Sequence, residues 1–314
     1  MPRRSRSTLC IDDYDCIGFD LDHTLCRYHV DNLFKLVYKL LSEYLVEKKG
    51  YDPDICKNPL ENDIHLIAKG LTLDCERGNI LRISNDGYIL GKQFCRSWIY
   101  DIIISWSCFI CKAATHGTRK MPDQDIERMY GRDRRRHPVT DYIHHLKEFG
   151  PQKLVDFSPL LHCFMDYFDL AAPLLCARIV DVLDDINNNG KAMKEYYFWP
   201  DVHEGLRELY LRTHFAADQG GFFPALKANP ELYILKRSPE FRHWLKMLRD
   251  NGKFLYVITG SHYDFASHVA SYAIGEDWKD LFDIVIFFAR KPSFFVEKRP
   301  FWVRNSFILQ NITW

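Results

Sequence analysis

Asp20 and Asp22 stand one residue apart in Asp20-Leu21-Asp22-His23-Thr24, directly after the apolar run Cys16-Ile17-Gly18-Phe19. Two acids at that spacing, at the carboxyl end of a buried strand, suit phosphoryl transfer. One carboxylate attacks phosphorus while the other handles a proton. Side chains alternate along a strand, so both carboxylates face the same way only if the chain bends just past Asp20. Thr24 can hold such a turn through its hydroxyl. A helix start capped by Asp22 or Thr24 also fits these residues, but it leaves the later motifs unexplained.

Transfer to a carboxylate needs more than the two acids. Hydroxyl and N–H donors must meet the phosphoryl oxygens, and a cation must meet their charge. Asp20 is the candidate nucleophile and Asp22 the general acid, later base. Thr259 ends a strand-like run before a helix. Its hydroxyl and the backbone N–H groups of Gly260 and Ser261 can hold a phosphoryl oxygen, and a plain helix cap is the other reading. Lys291, in Ala289-Arg290-Lys291-Pro292, can offset phosphate charge as a point cation on a turn stiffened by Pro292. Arg290 competes for that role, spacing does not separate the two, and a surface charge is the bland alternative. Asp20 and Asp22 are also candidate ligands for Mg2+, which takes oxygen donors and keeps several waters.

The elements that position these groups follow from periodicity. Tyr14 to Asp20 reads as a buried strand. Leu33, Phe34, Val37, Leu40, Leu41 and Leu45 recur at helical spacing, predicting a helix from about Val30 to Lys48 that Gly50 ends. The following section, to about Lys236, reads as mostly helical and aromatic-rich. Turn clusters at Asn85-Asp86-Gly87 and Asn187-Asn188-Asn189-Gly190 break it, and Ile83 to Leu90 predicts a small hairpin. The basic run Arg132 to His137 reads as a solvated helix end or loop, or as an anion contact. From Ser238-Pro239 onward a helix, the strand Lys253 to Thr259, a helix from Tyr263 to Ile274 and the strand Ile284 to Phe288 alternate. That order marks an α/β fold with a parallel sheet covered by helices. Residues 1–29 and 237–314 then form one discontinuous core, and 30–236 is an insertion into it.

A formal net charge of zero argues against nucleic acid as the main partner. With 47% hydrophobic residues a sizeable core can form, so global disorder is excluded. The ten cysteines are scattered behind no signal peptide and read as reduced thiols of a cytoplasmic protein. Cys108 and Cys111 lack the second pair a zinc site needs. Basic Pro2 to Ser7 is followed at once by Asp12, Asp13 and Asp15, which disfavours a transit peptide. The apolar stretch Trp98 to Cys111 is too short to span a bilayer, so no membrane partner is expected. Homo-oligomerisation is left open.

The order D-x-D-x-T, strand–Thr, strand–Lys resembles the haloacid dehalogenase-like (HAD-like) phosphatases. The surrounding residues are similar to their cytosolic purine 5′-nucleotidase branch: Ile17 to Leu25, Val257-Ile258-Thr259-Gly260-Ser261-His262, and Leu281 to Ile286 leading to Ala289-Arg290-Lys291-Pro292 and Phe294-Phe295. Tyr167-Phe168-Asp169-Leu170 through Asp181 resembles that branch's long cap helix. The resemblance implies a HAD-like Rossmannoid parallel sheet core with a large, mainly helical cap inserted between the first and second motifs, able to close over substrate. It implies Mg2+-dependent hydrolysis of nucleoside monophosphates through an aspartyl-phosphate at Asp20. Asp22 would be the acid/base whose carbonyl also ligates Mg2+, Thr259 the second-motif hydroxyl and Lys291 the third-motif cation. The chain departs from that pattern twice. Lys92 to Lys112 is an atypical insertion. After Lys291 the only acid is Glu297, whereas the family carries a Gly-Asp pair and a further strand beside the first. Ser306 to Gln310 is a candidate for that edge. The C-terminus therefore reads as truncated, and a catalytically impaired binding or regulatory form is the alternative to an enzyme. A phosphotransferase would use the same chemistry with another acceptor.

Overall fold

The computed structural model describes residues 10–84, 87–90, 114–134, 161–189, 195–291, 293–295, 301–305 and 308–312. Pro2 to Ser7, the expected insertion Lys92 to Lys112 with its cysteine pair, Arg135 to His137, Pro292 and Glu297 lie outside them. The chain folds into two compact units, residues 1–29 with 225–314, and residues 30–224.

The first unit is built on three parallel strands in the order Cys16–Phe19, Phe254–Ile258, Ile284–Ile286. Parallel neighbours need a crossover, and the helix Tyr263–Ile274 supplies it between the second and third strands. Its apolar face buries Ala266, Val269, Ala270 and Ala273. The helix Pro239–Asp250 has proline in its first turn and buries Leu245 and Leu248. Ser238 takes the N-cap position with an extended backbone but makes no side-chain cap bond. Trp244 of this helix meets Phe19 edge to face at 5.9 Å. Gly18 pairs with Tyr256, whose ring fills the space a Cβ at 18 would take. The third strand stops at Ile286, two residues before the sequence suggests, because Phe288 has a φ of 50° and Arg290 of 51°. Left-handed backbone cannot continue a strand. The strand Arg27–Tyr28 pairs antiparallel with Ile234–Leu235. The segment proposed to fill the sheet edge pairs elsewhere: Ile308–Ile312 lies antiparallel to Phe301–Asn305.

The second unit holds more strand than its helical periodicity suggests. Leu71–Asp74, Asn79–Arg82, Thr115–His116, Arg119–Lys120 and Leu161–Phe164 form one antiparallel sheet of five strands. Leu71 to Asp74 is buried at every position, so the alternation that flags a half-exposed strand is missing. Ile83 bridges Ile89, closing the predicted hairpin. The helix Val30–Lys49 buries Leu33, Phe34, Val37, Tyr38, Leu41 and Leu45. It packs against the helix Trp199–Leu209, where Gly205 meets Leu41 and Tyr44. The helix Ala172–Asn188 carries Arg178 into the interior, where it donates to Asp63, the Tyr38 hydroxyl and the Pro59 carbonyl. Arg134, expected on a solvated helix end or against an anion, is instead buried and paired with Glu127 at 2.6 Å and Asp123 at 3.3 Å. Among the described residues, no helix is long and apolar enough to cross a membrane.

Candidate active site

The first strand delivers Asp20 at its carboxyl end, and the chain turns there at once. Leu21 is fully buried, and its carbonyl accepts from Cys26 N at 2.8 Å and Thr24 N at 3.3 Å. His23 takes a left-handed φ of 58°, which completes the reversal. The bend that lets two aspartates one residue apart serve one site is therefore present. A residue not anticipated from the sequence secures it. Arg237 donates Nε to the Leu25 carbonyl at 2.7 Å and a second guanidinium nitrogen to the Thr24 carbonyl, and it stacks on Phe241 at 4.5 Å. Burial lowers its pKa, with the charge of Arg27 acting the same way. Only its place beside the Ser238-Pro239 helix start distinguished Arg237 from other surface arginines in the sequence.

Asp20 and Lys291 meet at 2.7 Å between Oδ1 and Nζ. The same carboxylate oxygen accepts the Leu21 N–H at 2.8 Å. Among the described residues no hydrogen-bond partner falls on Oδ2. Lys291 Nζ also donates to the Ile258 carbonyl at 3.1 Å, at the end of the second strand. The pair is partly wet, with the side chains 29% and 45% exposed, so it adds at most about 1 kcal/mol to stability. Its value is positional. Spacing left Lys291 and Arg290 equal; the structure brings Lys291 to Asp20 and lays Arg290 on the Phe288 ring at 4.5 Å.

Asp22 is held by hydroxyls. Tyr28 donates to Oδ1 at 2.6 Å, Ser261 to Oδ2 at 2.6 Å, and Thr259 to Oδ2 at 3.4 Å. A hydroxyl donates or accepts, so these partners can serve Asp22 in both of its protonation states. Tyr28, buried and packed against His23 at 4.7 Å, is a second residue that sequence reasoning missed. Thr259 is fully buried, and its Oγ1 accepts the Ser261 N–H at 3.0 Å. The Thr259 hydroxyl and the Ser261 N–H thus bond inside the protein, organising the turn. Gly260 lies between them with open space where a Cβ would stand. Close by, Cys26 is buried, and burial together with the Asp22 charge drives its thiol far above the ordinary range, which rules it out as a nucleophile. The expected residues 20, 22, 259, 260, 261 and 291 thus lie at the carboxyl ends of neighbouring strands, with Asp20 bonded to Lys291 and Asp22 to Thr259 and Ser261.

Asp20 and Asp22 are the oxygen donors a cation would meet. Among the described residues no group of three His, Cys, Asp or Glu side chains gathers to hold a metal. A closed zinc site needs four protein ligands and Ca2+ takes six to eight oxygens, whereas Mg2+ settles on one or two carboxylates, waters and substrate phosphate. The sparse, all-oxygen donor set fits Mg2+.

Comparison with known proteins places this geometry in context. The model of the 5′ nucleotidase family matches residues 5–98 and 106–307. The break between them falls within Lys92 to Lys112. The chain is 34% identical over 290 residues to 5′-nucleotidase domain-containing protein 1 of Homo sapiens, covering 91% of this chain and 56% of that protein. It is 34% identical over 291 residues to the protein of the same name from Bos taurus, again covering 91% and 56%. The likeness to 5′-nucleotidase domain-containing protein 2 of Rattus norvegicus is 25% over 299 residues, 95% of this chain and 46% of that protein. The chain spans about half the length of the curated relatives it matches.

Proposed function

The chain belongs to the 5′ nucleotidase family, and from that premise we propose that it is a phosphoric monoester hydrolase acting on nucleoside monophosphates. The observation that carries the reading is the pairing of Asp20 with Lys291 at 2.7 Å while Asp22, one residue on, is held separately by Ser261 and Tyr28. One carboxylate is set beside a cation and the other among proton-exchanging hydroxyls, the division of labour that nucleophile and acid/base require.

Asp20 Oδ2 attacks phosphorus, and the bond from phosphorus to the ribose oxygen breaks. Protonated Asp22 gives its proton to that leaving oxygen, releasing nucleoside. Asp22, now ionised, takes a proton from water as the water oxygen attacks the phosphorus of the aspartyl-phosphate. The bond from Asp20 to phosphorus breaks, inorganic phosphate leaves, and both aspartates return to their starting states. Lys291 offsets charge on the phosphoryl oxygens, and the Gly260 backbone N–H donates to one of them. Mg2+, held by the Asp20 carboxylate and the Asp22 carbonyl, would supply further charge neutralisation at the phosphoryl group.

The test is phosphate release from a panel of nucleoside monophosphates with and without Mg2+, with Asp20→Asn as control. Release that depends on Mg2+ and vanishes in Asp20→Asn is expected. Release that persists in Asp20→Asn, or a wild-type chain that releases none from any member of the panel, contradicts the reading.

A further inference from the structure

Lys291 reaches Asp20 from a loop whose backbone is strained at two places. Phe288 and Arg290 both sit in the left-handed region, at φ 50° and 51°. For a bulky side chain this is an unfavourable conformation, and it persists only where the surroundings over-determine it. The surroundings here are specific. Phe288 N donates to the Ser261 carbonyl and Ala289 N to the Thr259 carbonyl, each at 2.9 Å, tying the loop to the turn that holds Asp22. Phe287 is set edge to face against Tyr263 at 5.1 Å and against buried Trp278 at 6.4 Å. The Phe288 ring stacks on His262 at 4.1 Å with 19° between planes, and the Arg290 guanidinium lies over the same ring at 4.5 Å. The phenyl thus contacts both the imidazole and the guanidinium, although Phe288 itself remains 42% exposed.

We propose that Phe288, clamped between His262 and Arg290, is a positioning residue that sets the reach of Lys291 to Asp20. The clamp holds residues 288 and 290 in the left-handed region, and the two backbone hydrogen bonds carry that geometry to Lys291. The functional part of the proposal rests on Lys291 being the phosphate-facing cation argued above. His262 follows Ser261 directly, so the turn that orients Asp22 and the loop that orients Lys291 are coupled through one stacked pair. A lysine on an unclamped loop would swing with the freedom of its four-carbon stem.

Four variants test this: His262→Ala removes the stack, His262→Phe keeps it, Phe288→Gly removes both ring and strain, and Lys291→Ala removes the cation. The first readout needs no turnover. In 15N-labelled protein at low pH and low temperature, the Lys291 ammonium, bonded to Asp20 and Ile258, should give a resolved signal. It should be lost in His262→Ala and Phe288→Gly and return in His262→Phe, with all variants folded by circular dichroism. The second readout is kinetic. kcat for a nucleoside monophosphate falls roughly tenfold or more in His262→Ala, recovers in His262→Phe, and falls no further when His262→Ala is added to Lys291→Ala. An ammonium signal that persists in folded His262→Ala and Phe288→Gly overturns the clamp. A wild-type chain without turnover but with the expected ammonium behaviour refutes the hydrolase reading and leaves the clamp standing.

Discussion

At the residue scale, the turn that carries the two aspartates is tied down by a half-buried guanidinium. Arg237 bonds the carbonyls of two successive residues in the turn after Asp22. A planar fork spans that pair of acceptors and a single ammonium does not. Arg237→Lys should therefore lower kcat by roughly tenfold to a hundredfold while leaving the fold intact. Steady-state kinetics beside a thermal melt checks this, and wild-type turnover in the variant would count against the role. The two acids, and a cation at either Arg290 or Lys291, stood out by residue type and spacing, because phosphoryl transfer restricts which groups stand at strand ends. Arg237 and Tyr28 were not, since their roles come from contacts across the turn that no periodicity marks. The choice between Lys291 and Arg290 also lay beyond the sequence. It depends on two left-handed residues that turn one side chain toward Asp20 and lay the other on a ring.

At the scale of elements, the order of the parallel strands was readable, but the first, expected as a buried strand from Tyr14 to Asp20, is Cys16–Phe19 with every position exposed or half-buried, and the antiparallel sheet was not readable. Phe254–Ile258 and Tyr263–Ile274 carry apolar runs bounded by Asn251-Gly252 and Gly275, which punctuate the chain clearly. Leu71–Asp74 and Asn79–Arg82 hide their period because polar residues lie inside. Asp74 and Asn79 are fully buried and both bond the Tyr130 hydroxyl, at 2.8 and 2.7 Å. Two contacts in the same unit make sharp predictions. A Cβ at Gly205 would stand 2.6 Å from Leu41 Cδ1 and 2.8 Å from Tyr44 Cδ1. Overpacking of about 1–3 kcal/mol should outweigh the gain in helix propensity of up to about 1 kcal/mol, so Gly205→Ala lowers the urea midpoint without changing the slope. Arg178→Met should cost about 3–5 kcal/mol, because it leaves Asp63 buried without its cation. Adding Asp63→Leu should restore most of that loss. A double variant no more stable than Arg178→Met would show that the pair is not what holds these segments.

At the scale of the whole molecule, two buried groups pull the pH dependence of stability in opposite directions. Burial, helped by the charge of His203, pushes the His162 pKa down from 6.5 to about 4. Its contribution is complete above 6.5 and is lost as pH falls through about 4, where the unfolded chain alone has gained the proton. Burial next to Asp166 pushes Asp169 up from 3.8 to about 7. That carboxyl works in the opposite sense, with stability complete below 3.8 and lost as pH rises through about 7. The two windows overlap and nearly cancel, so in thermal melts His162→Phe should unmask a fall in stability with rising pH and Asp169→Asn a rise. Unchanged slopes would contradict the assignment. Neither group stood out in the sequence, since burial is a property of the folded chain. The alternation of helix and strand after Ser238 did stand out, and it pointed to the parallel α/β core. The account turns on Asp20 becoming phosphorylated, and borohydride trapping reads that directly. With a nucleoside monophosphate present, reduction of the acyl phosphate should convert residue 20, and no other aspartate, to homoserine, seen by mass spectrometry of the peptide that carries it. Phosphate release with an unreduced Asp20, or with the label at another residue, would contradict the account.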